Sequence, residues 1–302
     1  MSITTYTPAP VPVPEGIGKP IRGPQALTSD WRRFWHLTFN IAKTNWKMRF
    51  FGSWLGYVWQ LIRPLLLFGV LYVFFTKIAH INSGADTGPG QADHFYGAQL
   101  LGAIVLFTYM QEGTMNAVRC VVDNEVLVRK IEFPRMVIPL SYVLLATFNL
   151  IGNLVVVFVF ALISGVRPMG TWVELPVILL MEGVLITGLA MLLSTAFVYF
   201  RDIQPIWEVV MQILFYASGV MITIVTVTAN LHGTLLHLYM ADPLAVVLQQ
   251  FKHAIIEHGS YGAVYYSGGV KWLVIPIGLT VGIFALGFFV FNRAAPNVAD
   301  SL

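Results

Sequence analysis

Cysteine is nearly absent. Cys120 is the only one in 302 residues, which excludes an intrachain disulfide and a CxxC zinc site. Charge is scarce as well: charged residues are 11% of the chain, against about a quarter in an ordinary soluble domain. With 57% hydrophobic residues and a mean hydropathy of +0.72, this excludes a soluble, disordered or collagen-like chain. The 18 Lys+Arg against 15 Asp+Glu leave a net charge of +3 and a pI near 8.9. So few basic residues do not point to nucleic acid. A GxxxxGK nucleotide loop is missing; the nearest match, Gly16-Ile17-Gly18-Lys19, lacks the upstream glycine and runs into Pro20. Neither the nucleophile elbow GxSxG nor the zincin pattern HExxH is present. His232/His237 and His253/His258 are spaced so that a helix turns each pair to different faces, and no metal site is expected. No convergent acid–base or nucleophile set appears, so an enzyme is disfavoured. A cleavable signal is missing too: residues 1–28 are a polar tail with Pro8, Pro10, Pro12 and Pro14 and no apolar stretch.

What is abundant is long apolar runs. A helix needs roughly 20 apolar residues to cross the hydrocarbon core. Six stretches qualify, near 56–78, 95–118, 136–163, 173–199, 206–228 and 270–292. They are too long for strands and lack the alternation of a lipid-facing barrel. The fold class is therefore an all-α integral membrane protein. Its transmembrane domain covers 56–293, and a short tail follows at 294–302. With the N-terminus cytoplasmic, 14 of the 18 basic residues fall inside, and only Lys77, Arg167, Lys252 and Lys271 fall outside. The positive-inside rule favours this orientation, with both termini cytoplasmic.

Residues 29–55 mix Trp31, Phe34, Trp35, Phe39, Trp46 and Phe50 with Arg32, Arg33, Lys43, Lys47 and Arg49. Ser29 or Asp30 can cap the start of a helix there. Such a helix suits the membrane interface, rings among headgroups and cations toward phosphate. It can be an anchor that sets topology, or a basic platform for an anionic lipid headgroup. Arg63 stands beside Pro64 where the first span continues.

Residues 119–135 form a short cytoplasmic connection of mixed charge. Pro134 disfavours helix at Phe133, so the next span is expected to begin after it. The piece can be a plain turn or can dock into a soluble partner. Phe200-Arg201-Asp202-Ile203 reads as a tight turn with a local ion pair, Asp202 capping the next helix. Residues 229–269 are too polar to span, yet hold apolar runs that suit short re-entrant or interfacial outer helices.

Glu112 and Glu182 lie within spans, where a charge costs about 2.5–3.5 kcal/mol on insertion scales. Counted at 1.5 Å per residue, their depths differ by roughly 13 Å, so no direct pair is expected. Each requires a partner helix, a watery cavity or a proton. Tyr57, Trp59, Tyr72 and Phe75 of the first span and Phe215 and Tyr216 of the fifth are most simply belt aromatics. Rings of this kind also stack on sugars, which makes them candidates to line a glycan path.

Four segments carry a resemblance. Leu55-Gly56-Tyr57-Val58-Trp59-Gln60-Leu61-Ile62-Arg63-Pro64-Leu65 resembles the LGxxWxxxxPL start of the first span in type-2 ABC exporter permeases. Asn124-Glu125-Val126-Leu127-Val128-Arg129-Lys130-Ile131-Glu132-Phe133-Pro134-Arg135 resembles their NxxLIxKxxFPR segment, and Pro139-Leu140 follows as it does there. Phe200-Arg201-Asp202 matches their FRD turn. Asp242-Pro243-Leu244 resembles their NPL segment, with Asp in place of the usual Asn. The chain is most similar to the Wzm-like polysaccharide-export branch, which handles O-antigen, teichoic acid and galactan-type glycans. It departs from that pattern at Val105-Leu106-Phe107, where Trp is frequent, and in its longer proline-rich tail.

The resemblance implies a homodimer with two nucleotide-binding ATPase subunits and a bacterial inner-membrane location. The substrate it implies is a polyprenyl-pyrophosphate-linked glycan. No cofactor is expected on this chain; ATP and Mg belong to the partner. It further implies that Asn124, Glu125, Arg129, Lys130, Glu132, Phe133, Pro134 and Arg135 couple to the ATPase. Arg32, Arg33, Lys43, Lys47, Arg49 and Arg63 would receive and gate the headgroup. Two other readings share parts of this pattern: a type-2 exporter of drugs or small lipids, and a proton-coupled transporter using Glu112 and Glu182.

Overall fold

The computed structural model describes residues 31–49, 54–78, 95–125, 134–221, 227, 234–255 and 262–295. Among them every regular element is a helix and none is a strand, in keeping with the all-α expectation. The elements are α1 (Trp31–Arg49), α2 (Trp54–Val73, prolonged by a π turn, Phe74–Ile78), α3 (Tyr96–Val118), α4 (Cys120–Asp123), α5 (Val137–Ile163), α6 (Leu175–Tyr199), α7 (Ile203–Ala217), α8 (Thr234–Tyr239), α9 (Pro243–Ile255), α10 (Ala263–Tyr266) and α11 (Val270–Ala294).

Four helices among the described residues are long and apolar enough to cross a membrane: Val58–Ile78, Val137–Ile163, Gly170–Tyr199 and Val270–Ala294. They coincide with four of the expected spans. Of these, α5 begins just past Pro134, with Val137 and Ile138 donating to the Pro134 and Arg135 carbonyls at 3.0 and 3.1 Å. The helix thus starts after the proline, as expected. The other two stretches behave differently. Helix α3 has the length, 23 residues, but carries Gln99, Gln111, Glu112 and Asn116. Eighteen of its residues are buried by other helices, Gln99 among them, while Glu112 and Asn116 are half-buried and Gln111 is exposed. Helix α7 has 15 residues and ends at Ala217 instead of running to 228. That is about 22 Å of helix, short of a full crossing of roughly 30 Å. The chain turns there through Ser218 and Gly219, whose φ of +71° suits a residue without Cβ.

The core is α3 packed between α5 and α6, around Leu100, Leu101, Ile104, Leu106, Ile186 and Phe251. Helices α6 and α11 cross at two glycines. A Cβ on Gly188 would stand 2.6 Å from Phe284 Cα, and one on Gly287 would overlap the Gly188 carbonyl. Small residues at a crossing bring two apolar helices into close backbone contact, where dispersion does the work that water cannot do in lipid.

Helix α9 packs into the core through Leu244, Val247, Leu248 and Phe251. Asp242 caps it, Oδ1 accepting from Leu244 N at 3.0 Å, and Pro243 occupies the first helical position. Asp serves here as well as Asn would. The Ser218 hydroxyl donates to Asp242 Oδ2 at 2.5 Å, and Lys252 Nζ donates to the Gly219 carbonyl at 2.8 Å. The turn after α7 is thereby tied to both ends of α9.

One local expectation is corrected. Asp202 precedes α7 but makes no side-chain cap bond, because its backbone is already helical (φ −71°, ψ −8°) rather than extended. Arg201 and Asp202 form no ion pair. Both are exposed, and hydration outcompetes a weak surface pair.

Candidate functional site

Helix α1 lies along α5. Phe34, Thr38 and Ala42 are spaced by four, and all three are buried. Phe39 and Trp46 both meet Phe148 edge-on, at 5.6 and 6.5 Å between ring centroids. Arg32, Arg33, Lys43, Lys47 and Arg49 are all exposed. No acidic residue occurs in the helix, so five cations share one strapped surface.

A polar cluster joins this helix to the bundle. Trp46 Nε1 donates to Asn149 Oδ1 at 3.3 Å. Asn149 Nδ2 donates to Glu112 Oε2 at 2.7 Å, and Gln60 Nε2 donates to Glu112 Oε1 at 2.6 Å. Three helices, α5, α3 and α2, therefore meet at one carboxylate, and α1 joins them through Asn149. Each oxygen of Glu112 accepts from an amide donor. Glu182, on α6, differs. It is fully buried and neither oxygen has a hydrogen-bond partner. The two glutamates do not pair, as their depths predict. The sequence singles out Glu112 but not Gln60 or Asn149, because a lone amide in an apolar run gives no sign of what it will face.

The exposed face of α7 carries a polar ridge. Gln204, Glu208, Gln212 and Tyr216 follow at intervals of four, so they lie on one inclined row. Glu208, Gln212 and Tyr216 are exposed, Gln204 is half-buried, and Gln204 Nε2 donates to Glu208 Oε1 at 3.2 Å. Between them stand the exposed Ile206, Val209 and Ile213. Amides and a carboxylate on a helix this apolar face something other than hydrocarbon. The first three were not among the candidates, though their four-residue spacing is visible in the sequence.

The expected aromatic positions divide. Trp59 and Tyr216 are exposed at 58% and 67%. Tyr72 is open to the surface and stacks near Tyr96, centroids 6.4 Å apart. Phe215 is half-buried against Phe107 at 5.0 Å, and Phe75 is buried in the core. Arg63 is exposed on α2. The Tyr57 side chain lies outside the described part.

Of the expected coupling residues, Arg129, Lys130, Glu132 and Phe133 lie outside the described residues. Asn124 closes α4, donating to the Cys120 carbonyl at 2.7 Å and to Tyr142 Oη at 3.2 Å. Glu125 is half-buried. Pro134 starts the turn into α5. Arg135 is buried, and its guanidinium donates to the Ala295 carbonyl just after α11. It joins the start of α5 to the end of α11, where a cation suits the carbonyl-rich terminus. Cys120, the first residue of α4, is buried, and burial pushes its thiol well above the usual range. No group of His, Cys, Asp and Glu among the described residues could hold a metal.

This is the arrangement of a helical membrane protein whose polar groups are gathered on a few faces. Residues 36–256 match the ABC-2 type transporter family, most of the chain, and the protein belongs to that family. Two Klebsiella pneumoniae proteins named O-antigen export system permease protein RfbA are 22% and 20% identical over 263 residues, covering 87% of this chain and 93% of each of them. A Myxococcus xanthus protein of the same name is 24% identical over 224 residues, covering 74% of this chain and 81% of its own length. The resemblance of the four quoted segments to type-2 ABC permeases of the Wzm-like kind holds. Permeases of this family are membrane subunits of transporters.

Proposed function

We propose that the chain is the membrane subunit of an ATP-driven exporter that moves a polyprenyl-pyrophosphate-linked polysaccharide across the bacterial inner membrane. The observation that carries this reading is the ridge Gln204–Glu208–Gln212–Tyr216 on α7. It offers hydroxyl groups of a sugar both donors and acceptors, with an aromatic face at its end, on a helix that is otherwise apolar. The names of the relatives support the same substrate class.

In this reading the chain has six membrane-inserted segments, α3 being the polar one and α7 the short one that stops before a full crossing. The short helices α8 to α10 cap the outer end. Two copies face each other through α2 and α7, and the glycan passes between them along Trp59, Tyr72 and the α7 ridge. The cations Arg32, Arg33, Lys43, Lys47 and Arg49 hold the pyrophosphate at the inner face, and Arg63 stands at the gate. Motion of the ATPase subunits reaches the chain through residues 119–135. The Asn149–Glu112–Gln60 cluster passes a shift of α1 or α5 on to α2.

The test is purification from membranes with native interactors, followed by charge removal. A co-purifying ATPase and a bound polyprenyl glycan are expected. Replacing Arg32, Arg33, Lys47 and Arg49 by Gln is expected to abolish export and substrate-stimulated ATP hydrolysis. Intact export in that variant would overturn the headgroup role. Retention of a small lipid or drug without glycan would favour the small-substrate exporter. Transport without any ATPase, lost on Glu112→Gln, would favour a proton-coupled carrier.

A further inference from the structure

We infer that the chain holds one anionic phospholipid of the cytoplasmic leaflet in an apolar groove between α1, α5, α6 and α11, away from the α2 and α7 faces. The inference uses the orientation given under the proposed function but not its substrate. The groove has a volume of about 650 Å³, within the range of about 300–1,000 Å³ of ligand pockets. Leu140, Val143, Leu144, Val184, Phe284 and Phe288 form much of its wall.

The wall contains three hydroxyls, and all are engaged. Tyr109 Oη and Thr147 Oγ1 bond to each other at 3.0 Å. Thr147 also donates to the Val143 carbonyl, and Thr187 Oγ1 donates to the Gly183 carbonyl at 2.6 Å. The groove therefore offers an occupant no free hydroxyl proton, and a sugar or a pyrophosphate inside it would lose most of its hydration without replacement. Hydrocarbon is the matching filler. Along α5 the groove runs from Met136, at the start of the helix, to Thr147. Eleven residues of helix rise about 16 Å, close to half of a hydrocarbon core of roughly 30 Å. Along α6 it runs over a similar length, from Met191 to Leu180, and an acyl chain fits that length from the headgroup down.

The mouth selects the headgroup. Trp31, Phe34 and Trp35 border it from the first turn of α1. Between them in sequence stand the exposed Arg32 and Arg33, in a helix with no acidic residue. Interface aromatics with adjacent cations complement an anionic phosphate over a buried chain.

The test is native mass spectrometry of the full chain equilibrated with mixed micelles of phosphatidylglycerol and phosphatidylcholine. Wild type is expected to retain phosphatidylglycerol in preference. Leu144→Phe with Val184→Phe fills the groove and is expected to lower retention of both lipids about tenfold. Val177→Phe, on an exposed part of the same helix outside the groove, controls for folding and added bulk and is expected to change nothing. Arg32→Gln with Arg33→Gln is expected to remove the preference, about tenfold or more at roughly 1 kcal/mol per cation, while chain binding persists. Equal retention by the groove-filled protein and the Val177→Phe control overturns the inference. So does a groove-dependent ligand that proves to be a polyprenyl diphosphate. Export is not the readout, so the two readings fail separately. A double-Gln protein that exports normally would remove the headgroup role proposed for the glycan carrier and leave this site standing.

Discussion

Asn149 Nδ2 donates to Glu112 Oε2 at 2.7 Å, and the same amide accepts from Trp46 through Oδ1. One side chain of α5 thus links α1 to a carboxylate in the bundle, and Gln60 of α2 completes that carboxylate from the other side. Leaving a buried acceptor without its donor costs about 1–3 kcal/mol. Asn149→Leu is therefore expected to destabilise the chain by about that amount in thermal unfolding in detergent. Combining it with Glu112→Gln is expected to cost less than the sum of the two single changes. Additive losses would show that the two residues act independently.

The α6–α11 crossing has no room for a side chain. Gly287→Val is expected to cost at least about 3 kcal/mol, the upper end for overpacking, since the obstacle is the Gly188 backbone and not a movable side chain. Gly278→Ala on the same helix meets nothing within 4 Å and serves as the control. Thermal melts of the two proteins in one detergent make the comparison.

Lys252 titrates. Its ammonium is buried in α9, outside the spans, and burial lowers it from 10.5 to about 8. Between those values the unfolded chain binds the proton more readily than the folded chain. Stability should then rise with pH from about 8 toward 10.5 and fall as pH drops through about 8. Melting temperatures of wild type and Lys252→Met across that window test this. The slope should be smaller in the variant.

The α7 ridge should be separable from folding. Glu208→Leu and Gln212→Leu change exposed side chains, so melting should move by no more than about 0.5 kcal/mol. Substrate-stimulated ATP hydrolysis of the assembled exporter should nevertheless drop at least about fivefold, the effect of roughly 1 kcal/mol from a lost sugar hydrogen bond. Unchanged activity would remove the ridge from the glycan path.

Cys120 should be silent to maleimides under native conditions. It is fully buried, and burial holds the thiol protonated, whereas the thiolate is the reactive form. Cysteines introduced at the exposed Val209 or Ile213 of α7 should then report crosslinks between copies without background. Absence of any crosslink from either position would argue against pairing through α7.

Much of this architecture is legible in order along the chain, because lipid leaves so few options. A run such as Leu144 to Ile163 must become a helix to satisfy its own backbone, and Pro134 must precede α5 rather than interrupt it. The cations of α1, their alternation with aromatics and the absence of acids are also properties of the sequence. Other features depend on which surfaces meet. Nothing local distinguishes Phe75, which is buried, from Tyr72, which reaches the surface, or ends α7 at Ala217, where contacts from Asp242 and Lys252 hold the turn. The sequence alone determined the membrane class and the helical fold, since these follow from transfer free energy summed along the chain. Only the tertiary structure decided that Glu112 would be satisfied and Glu182 left without partners, and that α1, α5, α6 and α11 would enclose a groove. Hydrogen bonds and voids belong to pairs of distant residues, and no single segment encodes them.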